Sequence, residues 1–90
     1  MEQQLHQQYI DALSQIESYS GPTAGWADAY RLVQEGKAMA SGQWKLQIEP
    51  QGNLLIGNLT SGGQYGWIEP IYIPPILLDL QWHEVEKSEL

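Results

Sequence analysis

The thirteen residues Trp44-Lys45-Leu46-Gln47-Ile48-Glu49-Pro50-Gln51-Gly52-Asn53-Leu54-Leu55-Ile56 constrain this chain more than any other stretch of it. Trp44, Leu46 and Ile48 alternate with Lys45, Gln47 and Glu49, the period of a strand with one apolar and one wet face. Pro50 fixes φ and Gly52 is free to take a positive value, so Pro50-Gln51-Gly52-Asn53 suits a tight reversal. A second apolar run follows at once. The stretch reads as a β-hairpin, and it commits what comes after it to a small antiparallel sheet.

The chain before the hairpin is helical in pattern. Over residues 2–19, Leu5, Tyr9, Ala12, Leu13, Ile16 and Tyr19 recur at spacings of three and four, with a glutamine-rich polar side opposite. Ser20-Gly21-Pro22 ends that pattern, because Gly accepts the left-handed cap and Pro cannot continue a helix. A second helix is expected from about residue 25 to 39, with Trp26, Tyr30 and Val33 sharing a face and Gly36 as a possible stop. Ser20 to Gly25 forms a hinge-like joint between the two, which would permit exchange of the first helix between copies.

Beyond the hairpin the pattern predicts a strand over 54–60, a loop at Ser61-Gly62-Gly63-Gln64, and a third strand over 65–73 that Pro70 restricts to an edge or a bulge. Ile76, Leu78, Leu80 and Trp82 alternate with Leu77, Asp79, Gln81 and His83, which predicts a fourth strand. The polar residues 86–90 are expected to fray. The expected fold is therefore α+β: two N-terminal helices, within residues 2–40, packed on an antiparallel meander of three or four strands within 43–85. Ninety residues form one domain, 1–90, and a core of that size leaves stability marginal. Pairing with a copy or a partner is a common remedy.

Charge narrows the partners. Eleven acidic residues face four basic ones, giving −7, and four scattered cations cannot build the basic patch that a nucleic-acid backbone or an anionic membrane requires. No run of apolar residues approaches the ~20 of a membrane span. Met1-Glu2-Gln3-Gln4 lacks the basic start of an export signal, so a cytoplasmic location is expected. The absence of cysteine rules out thiol catalysis, disulfides and cysteine-ligated metal.

Chemistry finds little footing. His6 falls among glutamines, and His83 with Glu84 or Glu86 supplies fewer than the three or four ligands of a metal site. Glu49 and Glu69 each precede a proline, where strand disruption is the simpler reading than a catalytic carboxylate pair. Ser61-Gly62-Gly63-Gln64-Tyr65-Gly66 joins two strands rather than a strand and a helix, so it is a hairpin loop and not a phosphate cradle. No enzyme activity, cofactor or metal is expected.

Four tryptophans and five tyrosines stand against no phenylalanine, which favours aromatic rings with a polar tip and hence half-buried faces and interfaces. Trp44, Trp67 and Trp82 fall on three predicted strands and could share one face. The expected function is a non-enzymatic protein-interaction or adaptor module that self-associates, as a homo-oligomer, through an aromatic sheet face or an edge strand. Its expected contact residues are Tyr65, Trp67, Tyr72 and Trp82. Two alternatives stand beside it: a carbohydrate or small-ligand binder stacking on Trp44 and Trp67 beside Glu69, and an acidic mimic that covers a basic protein surface.

Overall fold

The central hairpin forms in the expected register, with Leu46 opposite Ile56 and Ile48 opposite Leu54. Its turn is closed twice by Glu49, whose carbonyl accepts from Gly52 N and whose carboxylate accepts from Asn53 N at 2.9 Å. Gly52 takes a φ of 96°, the left-handed residue that follows a type I turn in a three-residue hairpin loop. The next hairpin repeats the construction between Thr60 and Gln64, with Thr60 Oγ1 donating to Gln64 O at 2.7 Å.

The computed structural model describes residues 22–90. In chain order these give helix α1 (Trp26–Gln34), strands β1 (Ala38–Ser41), β2 (Trp44–Ile48), β3 (Leu54–Leu59) and β4 (Tyr65–Ile68), a 3-10 turn η1 (Pro75–Asp79), and strand β5 (His83–Val85). All five strands join one antiparallel sheet in the order β4-β3-β2-β1-β5. The α+β class is therefore seen, with one helix and five strands among the described residues in place of two helices on three or four. The helix expected over residues 2–19 lies outside the described residues.

Three expectations need correction. The second helix stops at Gln34, because Gly36 adopts φ 103° and Lys37 N donates to Leu32 O, a closing bond that turns the chain out of the helix. The freed residues become β1, which no alternation announced because all four of its residues are buried. The third strand ends at Ile68, ahead of Pro70. The predicted fourth strand is η1 instead. Pro74 and Pro75 start a turn in which Leu77 N donates to Pro74 O, and only Leu77 of that segment is fully enclosed. The chain thereby crosses from the β4 rim to the opposite rim, where β5 pairs with β1 in Greek-key fashion.

The core lies between α1, η1 and one face of the sheet. Ala29, Val33, Met39, Leu46, Ile56, Leu77 and Trp82 form it, with Trp26, Leu32, Trp44 and Ile73 packed around them. Trp82 is 0 % exposed and meets Trp26 edge-on at 6.0 Å. Ala24 and Trp82 exchange both backbone hydrogen bonds at 2.7 Å, which ties the entry to the helix onto the approach to β5. Among the described residues no helix is long and apolar enough to cross a membrane.

Candidate functional site

Register decides where the aromatic residues go. Side chains alternate between sheet faces, and Leu46 and Ile56 face the helix. Gly57 is opposite both Lys45 and Trp67, and Leu59 is opposite Tyr65, so Tyr65 and Trp67 belong to the far face together with Lys45 and Gln47. Trp44 and Trp82 pack against the helix side. The four expected contact residues thus separate three ways. Tyr65 and Trp67 stand together, 5.7 Å between ring centroids. Tyr72 is 74 % exposed in the loop after β4, and Trp82 is enclosed in the core and unable to reach a partner. The same separation keeps Trp44 and Trp67 on opposite faces, so with Glu69 they build no common stacking platform.

Two surfaces stand out in shape and chemistry. The first is an apolar ledge. Ile68, Ile71, Tyr72, Ile76 and Leu78 are all exposed, with Ile71 fully in solvent. Beneath the first three lies a cleft of about 300 Å3 whose floor and walls are Trp44, Ile56, Pro70 and Pro74, with Glu69 at its margin. The ledge exists because the prolines prevent residues 69–75 from continuing the sheet, so the apolar side chains that a strand would have buried stay on the rim. Ile68 itself shares the helix face of the sheet through its pairing with Ile56, but nothing among the described core residues covers it.

The second surface is the far face, which was expected to be wet and is not. Lys45 is 6 % exposed and Gln47 2 % exposed, because residues 86–90 lie across them as a strap. Lys45 Nζ donates to Glu86 O at 2.7 Å and to Ser88 Oγ at 2.8 Å. The Gln47 carboxamide donates to Ser88 O at 2.7 Å and accepts from Ser88 N at 3.0 Å, the two bonds a neighbouring strand would have made. The tail expected to fray is therefore held. Burial draws the Lys45 ammonium below the ordinary lysine pKa, and the nearby Glu86 carboxylate pushes back less strongly. Its Nζ also stands 5.1 Å from the centre of the Tyr65 ring. Desolvation raises the Tyr65 phenol above its usual pKa. A cleft of about 490 Å3 opens between the strap and the aromatic pair, lined by Gly63, Gln64, Tyr65, Trp67, Ser88 and Glu89.

Neither surface gathers the groups of a reaction centre. Among the described residues no three His, Asp or Glu side chains converge as metal ligands. Glu49 is engaged in its own turn, and His83 is buried on the far face opposite Ala40, where desolvation lowers its pKa. Sequence reasoning singled out Tyr65, Trp67 and Tyr72 as surface aromatics but missed the ledge, since Ile76 and Leu78 fitted a strand. It also missed the strap, which no periodicity marks. The two prolines bracketing Ile71-Tyr72-Ile73 were the available signal for the ledge. No family model, curated protein or solved structure matches the chain.

Proposed function

We propose that this protein is a non-enzymatic interaction module that pairs with a second copy of itself through the apolar ledge. The observation that carries the reading is the run of exposed Ile68, Ile71, Tyr72, Ile76 and Leu78 beside a ready-made apolar cleft. Ile68, Ile71 and Tyr72 border that cleft and Ile76 and Leu78 are exposed on the 3-10 turn that follows; together the five present on the order of 500–600 Å2, the upper end of what an ordinary monomer leaves uncovered. Two copies facing each other across it would bury roughly 1,000–1,200 Å2, enough for a specific if modest association. Tyr72 and Ile71 project furthest and would enter the partner's cleft against Trp44, which is the arrangement expected of anchor residues.

The test is solution mass by light scattering over a range of protein and salt concentrations, for the wild type and for Ile71→Asp and Tyr72→Asp. Both positions are exposed, so the substitutions should leave the fold intact. The expected result is a wild-type dimer and two monomeric variants. Each copy carries −7, so added salt should leave the dimer unchanged or tighten it by screening repulsion. A wild type that is monomeric throughout would overturn self-association. Association with a basic protein that collapses as salt rises would instead favour the acidic-mimic reading.

A further inference from the structure

The far face is a peptide-binding groove that this chain fills with its own residues 86–90: the geometry points to an extended peptide from a partner as its exchangeable ligand. Three of the four hydrogen bonds that hold the strap go to its backbone, at Glu86 O, Ser88 O and Ser88 N, and the fourth goes to the Ser88 hydroxyl. Glu86, Lys87, Glu89 and Leu90 are exposed and only Ser88 is half-buried, although the Glu86 carboxylate also lies near the Lys45 ammonium. What Lys45 and Gln47 recognise is therefore an extended main chain with a small hydroxyl side chain at one position. Any segment with those features could make the same contacts. This is recognition of a strand by side chains instead of by a sheet edge, with main-chain bonds giving affinity and one pocket giving selectivity.

The strap also fits its groove incompletely. Glu89 sits at the mouth of the 490 Å3 cleft beside Tyr65 and Trp67 while its side chain stays exposed. A large apolar or aromatic residue following the serine would lie against those two rings. The ligand is thus a peptide with serine or threonine followed by a bulky apolar side chain, and the strap is its weaker, tethered stand-in. The site is on the opposite face from the first part of the ledge and does not depend on self-association.

A tethered segment competes at an effective concentration in the millimolar range, so a free peptide should bind the wild type poorly. In the full chain, Ser88→Pro removes both the N–H and the hydroxyl that Gln47 and Lys45 use, and so weakens the strap without shortening the protein. The probe is a fluorescein-labelled, C-terminally amidated peptide of residues 84–90, read by anisotropy. Ser88→Pro should bind it at least tenfold more tightly than the wild type does. Adding Gln47→Leu should abolish that gain, and placing Trp at the Glu89 position of the peptide should tighten binding several-fold. A folded Ser88→Pro chain that binds no better than the wild type would overturn the proposal. Should that variant fail to fold, amide hydrogen exchange at Ser88 of the wild type, whose N–H is held by Gln47, is followed in the presence of millimolar unlabelled amidated peptide. Displacement of the strap should speed that exchange several-fold, and an unchanged rate would equally overturn the proposal.

Discussion

A β-carbon at Gly57 would sit 2.9 Å from Cζ3 of Trp67, closer than real side chains tolerate. The indole lies flat over the one position of β3 that leaves room for it, a cross-strand pairing of glycine and aromatic that pins the β4 register. Gly57→Ala should cost about 1–3 kcal/mol by forcing the ring aside. The double variant Gly57→Ala, Trp67→Ala should cost less than the sum of its parts in urea denaturation, because the second change removes the clash created by the first. His83 makes a different residue-level prediction. Burial lowers its pKa below the unfolded value near 6.5, so on acidification the unfolded chain takes up the proton first. Stability is complete above that pH and is lost as pH falls through the window between the unfolded and the folded value. The urea midpoint of the wild type should therefore fall between pH 7.5 and 5.5 by more than that of His83→Gln.

Among the elements, the hairpins were legible and the connections were not. Alternation in Trp44-Lys45-Leu46-Gln47-Ile48, followed by Pro50 and Gly52, describes β2, its turn and β3 because these depend on near neighbours in the chain. Alternation also described Ile76, Leu78 and Trp82, yet the first two are exposed on a 3-10 turn and the third is in the core. Local pattern could not reveal that Pro74 and Pro75 redirect the chain across the core, nor that Ala38 to Ser41 would be covered on both sides. The wet face failed for the same reason: what covers Lys45 and Gln47 is a segment about forty residues further on. Trp82 joins the elements that result. It touches Trp26 of α1, bonds Ala24 through its backbone and closes the core, while its indole Nε1 has no hydrogen-bond partner among the described residues. Packing alone holds the ring, so Trp82→Ala should cost about 3–5 kcal/mol. Tyr72→Ala, on the ledge, should change the unfolding free energy by no more than about 0.5 kcal/mol while weakening self-association. Equal losses of stability from both would contradict the division of core from surface.

At the scale of the whole molecule, the sheet has two covered faces with different chemistry. One is sealed by apolar packing under α1 and η1, and the other by a strap held through main-chain hydrogen bonds. The order β4-β3-β2-β1-β5 adds a consequence in time. Strands β2, β3 and β4 each pair with their immediate predecessor, but β5 and the Ala24–Trp82 bridge join residues some forty to sixty positions apart. Contacts of that range close late. A chain emerging from the ribosome can assemble the meander while its core still lacks Leu77 and Trp82 and the outer edge of β1 has no neighbour. Until β5 arrives, that edge is open to any strand nearby, including one from another nascent copy.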